Sequence, residues 1–535
     1  MQRQRAVFAL LVSAALWSCQ TPVATTPLVT APTTTTTTTT TTSPPAPARN
    51  FDLHILLTTD EHGWLLPWKD IPASMMRGGI HAAAATMSVE GYRKGAPGWV
   101  LLSAGDMWTG PYESTVLEGA PMAAAMKHLG YSAAAVGNHE FDFGTPVLAE
   151  RQKGGGFPLL ASNMIEAATS TLPPWVRPYT VVDVPLEGGG SIKVGVLGLA
   201  CVDSPVTSDA RHMVGLQFLP YAQTLKHWLP RLAAEKPDVI VVIAHDAIPV
   251  LEPLVPILRA HGVHVIAAGH EHRSGIVVND NGSDDVGDDV VICNAGPYLR
   301  TLCRLDLSFH GKTLVKHHQK IVQVERPIEA APLVFDEEIM RIVDQAEGSA
   351  RRIGGEVLVD NKLKLGRGRD GALGQLVVDA WLEALPYAQI ALTNAGGLRQ
   401  DIEAGPLRLR DVISALPFNN YLLVVDMTGA ELKKILENPE SVVGGMTYRF
   451  HDEHGGVRVV TRLVDSAGHD MADTQTFKVI VNDFMFRGGD KYRFADREPE
   501  ETAVDWREPI FRMLRDMGRQ GRSLDRSEVP RGLRE

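Results

Sequence analysis

Side chains that can bind metal ions follow several separate apolar runs of this chain. The run at 53–57 is followed by an Asp-x-His pair, and runs near 101, 133, 239 and 265 end in comparable groups. Loops that follow strands gather at one edge of an α/β sheet, so we expect these groups to lie together. They are Asp60 and His62, Asp106, Asn138, His245, and His270 with His272.

These donors are carboxylate, amide and imidazole groups, with no thiolate among them. Such a set suits borderline or hard divalent ions such as Zn²⁺, Mn²⁺, Fe²⁺, Co²⁺ or Mg²⁺. One ion takes about four to six donors, and this sequence offers seven such residues. The sequence therefore predicts two ions that share a bridging carboxylate. Each motif alone is weak, because a single loop histidine more often has a structural role.

Strand-like and helix-like segments alternate through most of the chain, which predicts an α/β fold. We expect a layered domain at 51–325, a linker helix at 326–352 and a smaller α/β domain at 353–535. The predicted strands are 52–59, 99–103, 192–199, 239–244, 263–267, 290–293, 390–393, 422–427 and 477–481, and the predicted helices include 121–129, 221–235, 373–385 and 429–436.

The first nineteen residues are typical of an export signal. Residues 6–16 form an apolar run that is too short to span a bilayer, and it leads into Leu16-Trp17-Ser18-Cys19. This ending resembles a bacterial lipoprotein signal, in which Cys19 would carry the lipid. The alternative is a secretory signal cut nearby, with loss of Cys19. Gln20 is not the Asp that retains many lipoproteins at the inner membrane, so an outer-membrane location is favoured.

The segment 20–50 has the composition of a tether, with ten consecutive threonines at 33–42 followed by prolines. We expect it to hold the folded part away from a membrane. Elsewhere, Cys201, Cys293 and Cys303 form no metal motif. They leave open either a Cys293–Cys303 disulfide or buried free thiols.

The overall composition excludes several classes of protein. The chain has 535 residues, 44% of them apolar, and a formal net charge of −11. This composition suits a globular protein and argues against a partner made of nucleic acid. Nothing in the sequence indicates an obligate protein partner.

The order of the motifs resembles the calcineurin-like metallophosphoesterase pattern of D-x-H, GD, GNHE, H and GHxH. The resemblance implies a four-layer α/β/β/α domain and the catalytic residues His139, Asp142 and Asn138. His139 would lie over the phosphate without binding metal, and Asp142 would orient it. The implied ligands are Asp60, His62, Asp106 and His272 for one ion, and Asp106, Asn138, His245 and His270 for the other.

The phrase GNHEFDFG at 137–144 is similar to the bacterial 5′-nucleotidase branch of that pattern. In its best-known periplasmic members, Gln stands at the position of His272. Residues 353–500 resemble the 5′-nucleotidase C-terminal domain, which binds the nucleoside. The matching phrases are LGQL at 373–376, LTNAGGLR at 392–399, LPFNN at 416–420 and NDFMFRGGD at 482–490.

The second resemblance implies a set of substrate-binding residues, each of which suits a nucleotide chemically. Two aromatic rings can sandwich a base, a carboxylate can accept hydrogen bonds from ribose hydroxyls, and arginines can bind phosphate. The set comprises Arg367, Arg369, Asn394, Gly396, Arg399, Phe418, Phe484 and Asp490.

Together these features predict a dimetal phosphohydrolase that acts on extracellular or periplasmic nucleotides. Two cations about 3.5–4 Å apart can lower the pKa of a shared water towards 7, and the resulting hydroxide can attack phosphorus in line. A 5′-nucleotidase is the leading prediction, with hydrolysis of UDP-sugars or 2′,3′-cyclic nucleotides as further activities. The alternatives are a thiosulfate-ester hydrolase of the same superfamily and an inactive nucleotide-binding lipoprotein.

Overall fold

The computed structural model describes residues 49–70, 73–330, 336–453 and 457–535. The predicted signal, Cys19 and nearly all of the predicted tether lie outside these residues. Within the described part of the chain, no helix is both long enough and apolar enough to cross a bilayer.

The elements of the N-terminal part, residues 49–330, alternate between strand and helix as predicted. Its strands are β1 (Asn50–Thr58), β2 (Trp68–Asp70), β3 (Met75–Arg77), β4 (Trp99–Ser103), β5 (Ala133–Ala135), β6 (Leu159–Leu160), β7 (Met164–Glu166), β8 (Tyr179–Pro185), β9 (Ser191–Leu199), β10 (Leu216–Phe218), β11 (Val239–Ala244), β12 (Val263–Ala268), β13 (Gly275–Asn279), β14 (Val290–Asn294), β15 (Thr301–His310), β16 (Thr313–Gln323) and β17 (Arg326–Pro327). Its helices are α1 (Ile80–Val89), α2 (Tyr112–Thr115), α3 (Ala120–Leu129), α4 (Thr145–Gly155), α5 (Ser204–Thr207), α6 (Tyr221–Ala234), α7 (Ile248–Leu251) and α8 (Val255–Ala260).

Two six-stranded sheets face each other in this part. One has the order β16-β15-β1-β4-β5-β6 and the other β13-β14-β12-β11-β9-β8. The central strands β1, β4, β5 and β6 run parallel, as do β9, β11, β12 and β14, so their carboxyl ends share an edge within each sheet. Strands buried on both faces read as continuous apolar runs, which is why Val239–Ala244 has no polar residue.

Apolar side chains fill the space between the two sheets and cover both outer faces. Leu53 and Ile55 of β1 meet Val194 and Val241 of the other sheet in the central core. Helices α1, α3 and α4 cover one outer face, and α6 to α8 cover the other. The order of layers is therefore helix, sheet, sheet, helix, which confirms the predicted fold class.

A long helix, α9 (Glu337–Gly354), connects the two parts of the chain. Asp336 caps its start by accepting hydrogen bonds from two backbone N–H groups of the first turn, and Ile339 and Val343 are buried in the outer core beside α1 and α3. The segment predicted as a linker helix is therefore helical only from residue 337 among the described residues, and it packs as part of the N-terminal core.

The C-terminal part, residues 357–535, is a smaller α/β unit. Its strands are β18 (Val357–Asn361), β19 (Ile390–Asn394), β20 (Gly405–Arg408), β21 (Tyr421–Thr428), β22 (Ser441–Gly444), β23 (Met446–Asp452), β24 (Arg458–Asp465), β25 (Thr476–Asn482), β26 (Glu500–Asp505) and β27 (Gly532–Arg534), and its helices are α10 (Ala372–Ala384), α11 (Leu409–Ala415), α12 (Gly429–Leu436), α13 (Asp483–Phe486) and α14 (Glu508–Arg519). The sheet β22-β19-β25-β21-β26 carries α10 and α14 on one face and α12 on the other. Among the described residues, no strand of this part pairs with a strand of the N-terminal part.

Of the two arrangements left open for the cysteines, the structure has the disulfide. Cys293 of β14 and Cys303 of β15 are bonded, while Cys201 is a buried free thiol. Because β14 and β15 belong to different sheets, the bond ties the two sheets together. It also closes the loop that contains Tyr298, whose backbone N–H donates to the Asp60 carbonyl over 2.7 Å.

Candidate metal centre and adjoining cavity

Several candidate metal ligands stand where a strand ends and the backbone turns sharply. Asp60, His62, Asp106, His270 and His272 all have positive φ, between 44° and 72°. This left-handed region is strained for residues other than glycine, and such strain collects at functional sites. The turns that follow β1, β4 and β12 bring these side chains close together at the carboxyl ends of the strands.

The ligand atoms of these residues converge on Asp106. Its Oδ2 lies 3.0 Å from Nε2 of His245 and 3.7 Å from Nε2 of His62. Nε2 of His272 lies 3.4 Å from Oδ1 of Asp60 and 3.0 Å from Nε2 of His62. Three groups of mutually close ligand atoms result among the described residues. The first consists of Asp60, His62 and His272, the second of Asp106, His245 and His270, and the third of His62, Asp106 and His139. Asn138 joins the second group, because its Oδ1 lies 3.0 Å from Nδ1 of His270.

Backbone carbonyls hold two of the imidazoles in a metal-binding orientation. Nδ1 of His62 donates to the Thr109 carbonyl over 2.8 Å, and Nδ1 of His245 donates to the Ala104 carbonyl over 2.9 Å. A proton on Nδ1 leaves the Nε2 lone pair free for a metal ion. Nε2 of His245 is buried and faces Oδ2 of Asp106 over 3.0 Å.

The electrostatics of the cluster also suit cations. Burial lowers the pKa of His62 and His272 well below the usual range and that of His270 to about 4, so these rings are neutral. Burial also raises the pKa of Asp60 to about 6. At His245 burial lowers the pKa, but Asp106 and Asp60 outweigh it and raise the value to about 10. Three neutral imidazoles, together with carboxylates that hold positive charge at His245, fit a pair of divalent ions.

His139 stands beside this cluster and is held on three sides. Its Nδ1 donates to Oδ2 of Asp142 over 2.8 Å, and its backbone N–H donates to Oδ1 of Asp106 over 2.8 Å. Its ring stacks on Phe418 of the C-terminal part, with 5.4 Å between centroids and 16° between planes. Burial lowers the pKa of His139, but the Asp142 and Asp106 carboxylates raise it overall.

A cavity of about 340 Å³ opens between the cluster and the C-terminal part. The predicted substrate-binding residues that line it are Asn394, Gly396, Arg399, Phe418, Phe484 and Asp490. Asp490 accepts a hydrogen bond from Nδ2 of Asn394 over 2.7 Å, and Asn394 accepts one from Asn482 over 3.1 Å. A Cβ at position 489 would lie 2.5 Å from atoms of the Phe484 ring. Gly489 therefore lets the ring pack against the turn.

The three predicted arginines have different positions. Arg399 reaches the cluster, with Nη2 at 3.2 Å from Nε2 of His62. Arg367 is not among the residues that line the cavity, but it donates to the Arg399 carbonyl over 2.9 Å and so supports that loop. Arg369 pairs with Asp370 and lies over Phe450, and it too is absent from the lining.

Sequence reasoning missed the groups that hold the ligands in place. The buried carboxylate of Glu140 accepts hydrogen bonds from the backbone N–H groups of Gly137, Asp106 and Met107, at 2.6, 2.8 and 2.7 Å. Glu140 thereby joins two loops that carry candidate metal ligands, and its place inside the GNHE motif was the available signal. Ser208 also escaped notice, because it lies in no motif; its Oγ donates to Asp142 over 2.6 Å.

Comparison with known proteins agrees with this arrangement. Residues 53–274 match the calcineurin-like phosphoesterase family, and residues 353–497 match the 5′-nucleotidase C-terminal domain. Protein UshA of Yersinia enterocolitica is 26% identical, over 84% of this chain and 88% of its own length. The trifunctional nucleotide phosphoesterase protein YfkN of Bacillus subtilis is also 26% identical over 74% of this chain, but the chain spans only 30% of that protein.

Among solved structures, the 5′-nucleotidase precursor from Thermus thermophilus shares the fold. Its TM-score is 0.75 at 24% identity, and the match covers 90% of this chain and 99% of that one. The chain belongs to the family in which a calcineurin-like phosphoesterase domain precedes a 5′-nucleotidase C-terminal domain. It is a metal-dependent phosphoesterase that uses two divalent metal ions.

Proposed function

We propose that this protein releases phosphate from nucleoside 5′-monophosphates. The observation that carries the proposal is the composition of the cavity wall. Asp106, Asn138, His139 and His270 line one side, and Phe418, Phe484 and Asp490 line the other. A nucleotide would fit with its phosphate at the candidate metal ligands and its base between the aromatic rings.

The ions would be held by the residues of the cluster. Asp60, His62, Asp106 and His272 would bind one, and Asp106, Asn138, His245 and His270 the other, with Asp106 shared. Such a pair supplies a nucleophile from water at neutral pH and neutralises charge on the phosphoryl oxygens. The Asp142 and Asp106 carboxylates raise the pKa of His139 against burial and so favour a ring that is protonated on both nitrogens. Nδ1 then donates to Asp142, and Nε2 would donate a hydrogen bond to the leaving or an equatorial oxygen.

The C-terminal part would select the rest of the substrate. Base stacking on Phe418 and Phe484 contributes about 1–3 kcal/mol per base and tolerates different bases. Asp490, backed by Asn394, would accept hydrogen bonds from the ribose hydroxyls, and Gly396 leaves room beside it. Arg399 would reach the phosphate by two parallel hydrogen bonds, with Arg367 holding its backbone. The placement of Arg369 does not support a role for it in binding.

We further propose that the protein is exported and attached to a membrane through lipid on Cys19, with 20–50 as a tether and an outer-membrane destination. The Cys293–Cys303 disulfide supports an oxidising compartment. Expression with the native leader, followed by mass spectrometry of the mature N-terminal peptide, tests this proposal. A lipid-modified Cys19 in the membrane fraction is expected, and an unmodified N-terminus downstream of residue 19 would contradict it.

The activity is tested by phosphate release from purified protein after chelation and after addition of Mn²⁺, Zn²⁺, Co²⁺ or Mg²⁺. The panel contains AMP, UDP-glucose, 2′,3′-cyclic AMP, an aryl phosphate and a thiosulfate ester. Metal-dependent release from AMP is expected. Turnover of the thiosulfate ester alone would favour that alternative, and nucleotide binding without turnover by metal-loaded protein would favour an inactive binding protein.

A further inference from the structure

One segment of the N-terminal part, residues 203–213, contacts both sides of the cavity. It contains α5 and a short 3-10 turn at Ala210–Met213. No sequence motif marks it, and the function proposed above gives it no role. Its residues Thr207, Ser208 and Asp209 nevertheless line the cavity.

On one side, this segment holds three parts of the GNHEFDFG motif. The Thr207 carbonyl accepts a hydrogen bond from Nδ2 of Asn138 over 3.0 Å, which turns the amide oxygen of Asn138 towards His270. Oγ of Ser208 donates to Oδ1 of Asp142 over 2.6 Å. Nδ1 of His212 lies 2.7 Å from the backbone carbonyl oxygen of Phe141.

On the other side, Arg211 docks the segment on the C-terminal part. Its guanidinium lies 3.3 Å from the Asp483 carboxylate, donates to the Asn419 carbonyl over 3.3 Å and stands 5.6 Å above the Tyr421 ring. Asp209, two residues earlier, forms a second ion pair with the same guanidinium. Arg211 contacts Asn419 and Asp483, which are the sequence neighbours of Phe418 and Phe484. These two rings are proposed to hold the base.

We propose that Ser208 is a positioning residue for the reaction: its hydroxyl fixes Asp142, and Asp142 in turn orients His139. The kinetic consequences of this inference rest on the proposed function. The geometry is specific, because the two Asp142 oxygens have separate partners, Ser208 on Oδ1 and His139 on Oδ2. Ser208 is only 5% exposed although it lines the cavity, so its hydroxyl is directed mainly to Asp142 and not to solvent. Without that bond the carboxylate could rotate, and the His139 ring would lose its fixed orientation.

The consequence for catalysis depends on the leaving group. A hydrogen bond or proton from His139 should accelerate the reaction most when the leaving group is poor, as a nucleoside is, because negative charge then accumulates on the leaving oxygen. In Ser208→Ala, kcat for AMP should fall about tenfold while KM changes less than twofold, since one hydrogen bond that aligns a general acid is lost. The loss should be smaller for an aryl phosphate whose leaving group is stabilised by its ring. Ser208→Thr retains the hydroxyl and should recover most of the activity.

Ser204→Ala is the matched control. Ser204 lies in the same segment and is fully buried, but its hydroxyl donates to the Cys201 carbonyl and not to Asp142. If removal of a buried hydroxyl acts only by loosening the segment, both alanine variants should lower kcat alike, and that result would overturn the proposal. If Ser208→Ala does not fold, Ser208→Cys takes its place. Because a thiol is a weaker donor than a hydroxyl, this variant should lower kcat for AMP, but by less than the tenfold expected for alanine.

A second readout does not depend on the substrate. In protein labelled with ¹⁵N-histidine, the ring signal of His139, assigned by its loss in His139→Gln, reports the hydrogen bond to Asp142. Ser208→Ala should shift or broaden this signal, and Ser204→Ala should leave it in place. An unchanged His139 signal in Ser208→Ala would overturn the inference even if AMP is a substrate. A changed signal in a protein inactive on nucleotides would refute only the proposed function.

Discussion

The two walls of the cavity are built in different ways. The metal-side wall consists of carboxylate, amide and imidazole groups, and two of them, Asp106 and Asn138, are only 1% exposed. Its residues follow buried strands and are fixed by positive φ and by hydrogen bonds to backbone. The opposite, nucleoside-side wall carries two half-buried rings, Phe418 and Phe484, and Asp490, which hydrogen bonds through Asn394 connect to Asn482. The metal-side wall is therefore held by strand ends and backbone hydrogen bonds, whereas the nucleoside-side wall is held mainly by side-chain contacts.

This difference predicts two kinds of mutational effect. Changes in the metal-side wall should lower kcat for every phosphoester, because they remove groups that act on the phosphoryl centre. Changes in the nucleoside-side wall should raise KM for nucleotides and spare substrates that are too small to reach the rings. Glycerol phosphate is such a small substrate, and its comparison with AMP separates the two effects.

The largest effect is expected for Asp106→Asn. This substitution removes the carboxylate on which both groups of ligands converge, so activity on AMP and on glycerol phosphate should fall about a thousandfold or more. Metal analysis should also show fewer than two ions per chain. Asp183→Asn on the exposed face of β8 is the control and should behave as wild type. Equal metal content in Asp106→Asn and wild type would contradict the shared-ligand role.

Glu140→Gln should have the next largest effect. Glu140 accepts hydrogen bonds from three backbone N–H groups of two loops that carry candidate metal ligands, and an amide can accept with only one of its two terminal atoms. We expect a loss of about 10–100-fold in metal affinity or activity, which is typical for supports of metal ligands. A metal titration of activity measures it, with the exposed Glu150→Gln as control. A wild-type titration curve would show that the loops hold their shape without this carboxylate.

The same difference explains how much could be read from the sequence. Strand β11 was predicted at its observed bounds, Val239–Ala244, because a strand buried on both faces leaves an unbroken apolar run. The residues that converge on Asp106 were identified because only a few side-chain types bind divalent ions. Their roles as ligands remain predictions.

Loop geometry was less accessible to sequence reasoning. Arg369 was placed in the pocket, but its guanidinium pairs with Asp370 and lies over Phe450. Ser208 was missed because its partner, Asp142, is 66 residues away in sequence. Neither the direction of a flexible side chain on a loop nor a contact between distant loops leaves a periodic signal.

The two aromatic rings should respond differently to truncation. Phe484→Ala should raise KM for AMP about fivefold to a hundredfold, the equivalent of 1–3 kcal/mol of lost stacking, with kcat nearly unchanged. Phe418→Ala should raise KM similarly and also lower kcat, because Phe418 stacks on His139. Glycerol phosphate should be unaffected by the first variant and turned over more slowly by the second. Identical profiles for both variants would contradict a role of Phe418 in holding the His139 ring.

The smallest effect is expected where the two walls are joined, at Arg211→Lys. Lysine keeps the charge opposite Asp483 but cannot form the forked contact that also reaches the Asn419 carbonyl. A partly exposed contact of this kind is worth about 0.2–1 kcal/mol, so KM for AMP should rise no more than about fivefold. Glycerol phosphate should show no change, and Arg341→Lys, on the exposed face of α9, is the control. If kcat for both substrates falls equally, Arg211 acts on the metal-side wall through the 203–213 segment, and the separation of the two walls is incomplete at this point.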